Sequence, residues 1–151
     1  MNWEAIAAVA EGLGALGVIA TVVYVALQIR HNAEAVQGST EQALMTQEMN
    51  LYGLLAEHAN VYRRGQESTD ELDADEDVVF ENLVAANMSQ LYSAYGQYKR
   101  GLIPESVWTA YGSDWADFVD KRGFQDVWNR IQNSWPGEFR QALDRIAVKT
   151  E

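Results

Sequence analysis

The sequence of 151 residues contains no cysteine, and this absence excludes several kinds of chemistry. The chain supplies no thiol nucleophile, no thiolate ligand for zinc and no cysteine ligand for an iron–sulfur cluster. It also forms no disulfide bond, which agrees with a reducing compartment. Its only imidazole bases or ligands are the two histidines, His31 and His58.

Neither histidine stands in the pattern of a di-iron helix, which requires Glu three residues before His. Leu55 occupies that position before His58, and Gln28 occupies it before His31. His58 also lies on an apolar stripe, as a core or rim histidine does, with Glu57 on another face. We therefore expect no catalytic residue, no cofactor and no metal site, and we predict that the chain is not an enzyme.

Basic residues are scarce too, since 11 Lys and Arg stand against 22 Asp and Glu and leave a net charge of −11. Nucleic-acid binding depends on Lys and Arg that neutralise phosphates, so the sequence predicts no nucleic-acid partner. The simplest interpretation of the charge is an acidic and soluble surface.

The densest acidic segment covers residues 68–77 and resembles a calcium loop in composition. A calcium loop starting at Asp73 would need glycine at the position of Val78 and a bidentate glutamate at the position of Val84. The pattern is instead typical of a helix N-terminus, where carboxylates face the positive end of the helix dipole. We expect a helix to start here.

One long apolar run, Ala5 to Ile29, is the most informative segment, and Glu11 is its only charged residue. About 20 apolar helical residues match a hydrocarbon core about 30 Å thick, so this run predicts a membrane-spanning helix. Trp3 and Tyr24 suit the headgroup level towards its two ends. The lipid bilayer is therefore the first expected partner.

Three other interpretations of the run remain open. A cleaved signal peptide finds a small-residue cleavage site at residues 33–35, but no Lys or Arg precedes Arg30. A buried helix of a soluble domain fits the alanine and glycine content. Residues 12–17 match the dinucleotide-binding pattern G-x-G-x-x-G, but no second strand follows to complete that motif.

Small and polar residues of the run recur at steps of three and four residues and so share one face of the helix. In lipid, small residues let two helix backbones approach closely, so this face predicts a helix–helix interface and a homo-oligomer. Glu11 fits an interface or, equally, the depth of the headgroups. The predicted interface consists of Glu11, Gly14, Gly17, Thr21, Tyr24 and Gln28.

These patterns divide the chain into two parts: a transmembrane helix with its flanks at residues 1–31, and a soluble acidic helical domain at residues 32–151. Arg30 directly follows the span, whereas no Lys or Arg precedes it. Because Lys and Arg concentrate on the cytoplasmic side, we expect the C-terminal domain in the cytoplasm.

Helical periodicity predicts an all-α fold, in which the transmembrane helix continues toward an aromatic-rich helical bundle. Gly101 predicts the end of one helix and Pro104 the start of the next. Aromatic side chains at three- and four-residue steps predict a buried face of that next helix: Trp108, Tyr111, Trp115 and Phe118.

The helix that leaves the membrane is predicted to reach Gly65, with an interruption at residues 38–39. Glu34, Glu41 and Glu48 repeat every seven residues, as side chains on a solvated face do.

Three short motifs, two in the N-terminal segment and one around residue 100, resemble a family of uncharacterised small bacterial proteins with one N-terminal transmembrane helix and a helical C-terminal domain. They are Trp3-Glu4-Ala5-Ile6, Tyr24-x-x-x-Gln28-Ile29-Arg30-x-Asn32, and Tyr95-x-x-Tyr98-x-x-Gly101-Leu102-Ile103-Pro104-x-x-x-Trp108. The resemblance implies a bacterial origin and anchoring in the inner membrane, and it implies no activity.

Two functions fit these observations. The first is a membrane-anchored interaction or scaffold protein that self-associates through its transmembrane helix and meets an unknown protein partner. The alternative is a small oligomeric channel or an accessory subunit of a transporter, whose pore or polar cavity is lined by Glu11, Thr21, Gln28 and His31.

Overall fold

A computed structural model describes residues 2–149 of the chain and their side chains, except those of Ala5, Val9, Asp114 and residues 147–149. The described part is all-α and contains no strand, so the predicted fold class is confirmed. Its six α-helices are α1 (Trp3–Glu57), α2 (Ala59–Glu67), α3 (Ala74–Lys99), α4 (Glu105–Val119), α5 (Arg122–Ile131) and α6 (Gly137–Lys149).

The chain divides into two compact units, Met1–Ser39 and Thr40–Glu151. The predicted boundary after His31 marks the end of the membrane span and stays a prediction. Helix α1 continues through Gly38 and Ser39, so the predicted interruption there is wrong. Ser39 keeps its hydroxyl satisfied within the helix, because its Oγ donates to the carbonyl oxygen of Val36 at 2.9 Å.

Helix α1 ends at Glu57, and His58, with a φ of −109° and a ψ of 25°, separates it from α2. Gly65 does not end a helix as predicted, because it lies inside α2, which continues to Glu67. A Cβ built on Gly65 would overlap the ring of Phe80 in α3. This glycine therefore serves close packing and not helix termination.

Helix α3 begins and ends as the sequence predicts. Asp73 caps it by accepting from the backbone N–H groups of Asp75 at 3.0 Å and Glu76 at 2.9 Å. The Glu76 carboxylate accepts in return from the N–H of Asp73, which completes a capping box. At the other end Gly101 adopts a φ of +70°, and Leu102 N–H donates five residues back to complete a Schellman motif.

Aromatic side chains form much of the core of the second unit. Trp115 meets Phe124 and Trp128 edge-on, with ring centroids 5.4 Å and 5.3 Å apart. Of the aromatic face predicted for α4, Trp108 and Trp115 are buried and the other two are half-buried. The largest fully buried side chains are Phe80, Phe139, Leu83, Met88, Leu143, Val84 and Val127.

An arginine of α5 forms ion pairs with two acidic residues of α3 at the surface. Arg130 lies 3.0 Å from an oxygen of Asp77 and 3.0 Å from an oxygen of Glu81. The hydrogen bond to Asp77 raises the pKa of the Arg130 guanidinium. Because Arg130 is exposed, we expect these pairs to orient the two helices more than to stabilise them.

Two glycines bring α2 and α5 into backbone contact, since a Cβ on Gly123 would overlap the carbonyl oxygen of Gly65. We predict that Gly123→Ala destabilises the second unit by at least about 1–3 kcal/mol, because the overlap is with backbone that cannot move aside. The matched control is Gly96→Ala in α3, where a Cβ meets no atom within 4 Å. It should stabilise by up to about 1 kcal/mol. Guanidinium denaturation followed by circular dichroism checks both, and equal midpoints would contradict the close approach.

Candidate functional site

The predicted interface residues occupy one face of α1. In a straight helix, Gly14, Gly17, Thr21, Tyr24 and Gln28 fall within an arc of about 80°. Glu11 lies at the edge of this face, about 60° beyond Gly14. All six residues are exposed within the single chain. We call these six residues the glycine face.

The glycine face follows a seven-residue repeat. Gly14, Thr21 and Gln28 are separated by seven residues, and so are Gly17 and Tyr24. This alternation of three- and four-residue steps is the pattern of helices that pair along a shallow left-handed crossing. A Cβ built on Gly14 or Gly17 meets nothing within 4 Å, so open space lies beside both glycines.

Two polar residues of the face, Thr21 and Tyr24, differ in where their side chains lie. Thr21 donates its hydroxyl to the carbonyl oxygen of Gly17 at 2.8 Å, within the same helix. This bond satisfies a polar group without a second helix, and Thr21 then contributes mainly its small size. Tyr24 is 65% exposed, so its ring projects from the helix.

The rest of the first unit carries an apolar surface. Helix α1 is long and apolar enough to cross a membrane, by length and composition, and none of its apolar window is buried against the described chain. The large apolar side chains away from the centre of the glycine face are all more than half exposed: Leu13, Leu16, Ile19, Val23 and Leu27. This surface requires an apolar environment or an apolar partner.

A second candidate site is a groove within the second unit, between residues 41–55 of α1 and the helices α3 and α4. It contains two adjoining cavities of about 390 Å³ and 220 Å³, and Glu48 and Tyr111 line both. Leu44 is 3% exposed and forms part of the apolar wall of the larger cavity. We call this feature the acidic groove, since Glu41, Glu48 and Asp117 line it.

Glu48 is fixed at the junction of the two cavities by two phenols. Its Oε1 accepts from Tyr52 at 2.9 Å, and its Oε2 accepts from Tyr111 at 3.3 Å. The sequence predicts Glu48 on a solvated face, and this is wrong because the residue is half-buried against α4. A carboxylate oxygen has two lone pairs, so Glu48 retains capacity to accept from a ligand.

Gln90 of α3 is a buried polar residue that lines the smaller cavity. It is 9% exposed, and its Oε1 is buried without a hydrogen-bond donor among the described residues. By contrast, the buried side chain of Asn87, one turn earlier in α3, has a partner, because its Nδ2 donates to the carbonyl oxygen of Leu83 at 2.9 Å. An unsatisfied buried acceptor is uncommon in native proteins and needs a physical explanation.

The sequence by itself does not reveal the acidic groove. The seven-residue spacing of Glu41 and Glu48 is visible in the sequence, but this spacing fits a solvent-exposed face equally well. No sequence pattern around Gln90 indicates that it lines a cavity.

The histidines are not part of the groove, since His31 is exposed in the first unit and His58 lies at the junction of α1 and α2. Among the described residues, no group of three or more His, Cys, Asp or Glu is placed to hold a metal ion.

Comparison with known proteins gives no relative from which a role for either site could be inferred. No protein-family model, no curated protein and no solved structure matches this chain.

The hydrogen bond from Tyr111 to Glu48 joins α4 to α1, and we predict that Tyr111→Phe destabilises the second unit by about 1 kcal/mol. Tyr52→Phe is the control, because its phenol binds the same carboxylate from within α1 and from an exposed position. Its effect should stay within about 0.5 kcal/mol. Denaturant titration of both variants in non-ionic detergent provides the comparison. A larger effect for Tyr52→Phe would show that the bond between helices is not the stabilising one.

Proposed function

We propose that the chain is a membrane-anchored helical protein that self-associates through the glycine face of α1. The observation that carries the proposal is the exposed apolar surface of α1 with a repeat of small residues along one side. The second unit then forms an acidic helical domain held at the membrane. No catalytic role is assigned to it.

The free energy of burial supports the anchoring half of the proposal. Burying a large aliphatic side chain away from water stabilises by about 1.5–3 kcal/mol. Leu16, Ile19 and Val23 are each more than half exposed, and no described part of the chain covers them. A hydrocarbon core removes this whole surface from water while the helix keeps its backbone hydrogen bonds internal.

Packing supports the self-association half. Two helices in lipid gain little from hiding apolar side chains, and they associate where their backbones approach closely. Gly14 and Gly17 provide that approach one turn apart, and Thr21 extends it with a small side chain. A second copy of α1 carries the same seven-residue repeat, so parallel copies match in register along the face.

The orientation and the setting belong to the same proposal. Arg30 follows the apolar run and pairs with Glu34 at 3.0 Å, which places a charged pair at the end of the span. This single arginine on the C-terminal side favours a cytoplasmic C-terminal domain. We place the protein in the bacterial inner membrane, following the family resemblance of its three sequence motifs, with an unidentified protein partner for its acidic domain.

Oligomer size tests the proposal. We predict that the double variant Gly14→Leu and Gly17→Leu shifts the protein toward monomer, because two leucines hold the backbones apart. The control is Gly12→Leu with Ala15→Leu, which places two leucines on the side of α1 that faces away from Gly14 and Gly17.

Mass in detergent by light scattering, together with energy transfer between labelled copies in vesicles, measures both variants. The control should keep the mass and transfer of the unaltered chain. If the glycine-face variant keeps them as well, the interface is elsewhere.

A second candidate function rests on Glu11 and Gln28, which add polar side chains to the same face. In a ring of several copies, this face would line a polar pore, and the protein would serve as a channel or transport accessory. Conductance across a planar bilayer separates the two functions, because a scaffold conducts nothing. A current lost in Glu11→Ala would favour the pore.

A further inference from the structure

A cavity of the second unit that shares no lining residue with the acidic groove carries an inference independent of the membrane proposal. Residues of α3, α4 and α6 line it, and its volume is about 570 Å³, larger than either cavity of the acidic groove. Pockets that hold small organic ligands have volumes of about 300–1,000 Å³, with mostly apolar linings and a few polar groups. We call this feature the aromatic cavity, because Tyr95, Tyr98 and Trp108 line it.

The aromatic residues of this cavity form one connected group. The ring of Trp108 lies 5.5 Å from that of Tyr95 and 6.2 Å from that of Tyr98, measured between centroids. On the side of α6, Ile146 packs so closely on α4 that a Cβ built on Gly112 would overlap its side chain. The apolar lining is therefore held by packing between helices, and a ligand with an aromatic body finds ring contacts already in place.

Two cations belong to this mostly apolar lining, although the chain has only 11 Lys and Arg against 22 acidic residues. They are Lys99 of α3 and Arg145 of α6. The Lys99 ammonium lies 6.0 Å from the centroid of the Tyr95 ring, at the distance of a cation–π contact, so this charge is held beside the aromatic group. Glu105 is the one carboxylate of the described lining, so two positive charges and one negative charge leave a net charge of +1 there.

Both cations keep hydrogen-bond donors for a ligand. Lys99 forms a long ion pair of 3.7 Å with Glu138, and both side chains are more than half exposed, so the pair contributes little. Arg145 donates through Nε to the carbonyl oxygen of Gln141 at 3.1 Å. That bond uses one of the five N–H donors of the guanidinium. An anion in the cavity can therefore be bound without loss of a strong existing contact.

We propose that the aromatic cavity binds a small aromatic monocarboxylate. The aromatic body packs against Tyr98 and Trp108, and the carboxylate accepts charge-assisted hydrogen bonds from Lys99 and Arg145. A single negative charge matches the net charge of the described lining, whereas a dicarboxylate brings a second charge that Glu105 repels. A cationic ligand fits less well, because two of the three charged groups of the described lining repel it.

Equilibrium dialysis of the full chain in phosphatidylcholine nanodiscs against cinnamate tests the proposal. Empty nanodiscs measure how much of the probe enters the lipid, and this amount is subtracted. We expect saturable binding of one cinnamate per chain. The neutral amide, cinnamamide, keeps the aromatic body and should bind roughly tenfold more weakly, because it loses a charge-assisted hydrogen bond.

Arg145 is the first residue to alter. Arg145→Gln should weaken the binding of cinnamate roughly tenfold and change the binding of cinnamamide by less than about twofold, because only the charge is removed. The control is Arg63→Gln, which removes the same charge from an exposed residue of α2 outside the cavity. This control should change the affinity for either probe by less than about twofold, since salt screens distant exposed charges.

Glu105 gives a readout that a loss of folding would not imitate, because its removal should strengthen binding. Glu105→Gln removes the carboxylate that opposes the charge of the ligand, and we expect it to raise the affinity for cinnamate at least about twofold. The control is Glu57→Gln, at an exposed residue of α1 outside the cavity, which should leave the affinity unchanged. Thr109→Phe, at an exposed residue of the lining, fills the cavity and should abolish the binding of both probes.

Several results would overturn the proposal. Equal binding of cinnamate and cinnamamide would show that the cavity does not recognise a carboxylate. Equal losses in Arg145→Gln and Arg63→Gln would assign the effect to the net charge of the chain. Tighter binding of terephthalate would contradict the match to a single charge, and tighter binding of octanoate would assign the cavity to aliphatic acids. None of these results bears on self-association through the glycine face.

Discussion

The exposed apolar surface of α1 is the constraint on which the other properties of the chain depend. Between Ile6 and Ile29 the helix presents large aliphatic side chains that no described part of the chain covers. A helix is one of the few structures that satisfies its own backbone in hydrocarbon, so this segment is compatible with a bilayer as it stands. In a bilayer, exclusion of water does not drive helices together, and their association depends on how closely their backbones pack. Gly14 and Gly17 would then matter because their small size permits that close packing.

The second unit differs from the first, because its large apolar side chains form a buried core and acidic side chains lie at its surface. Aromatic pairs such as Trp115 with Phe124 fill the space between short helices. The close approach of Gly65 and Gly123 sets how near two of those helices lie. This packing leaves a groove in which two phenols donate to Glu48, and beside it the Oε1 of Gln90 has no donor among the described residues. The two units therefore present different surfaces, an exposed apolar helix in the first and an aromatic-rich helical core with an acidic groove in the second.

Features encoded by neighbours in sequence can be predicted, and features encoded by distant contacts cannot. The cap at Asp73 and the stop at Gly101 depend on residues within one turn, so their patterns are sufficient. Gly65 resembles a stop because nothing local reveals the ring packed against it. Glu48 resembles a solvated residue because its partner Tyr111 lies 63 residues away. The glycine face stays a prediction, since a single chain carries only one side of an interface.

Cross-linking measures directly whether copies of α1 meet along the glycine face, and because the chain contains no cysteine, each introduced cysteine is the only thiol. Single cysteines placed in turn at residues 13–28 of the full chain in membranes form disulfides only where Cβ atoms come within about 4.5 Å. Pairing along this face predicts maxima of cross-linking at Gly14, Gly17, Thr21, Tyr24 and Gln28, with minima between them. Maxima on the opposite side, around Ile19, or cross-linking without periodicity would contradict it.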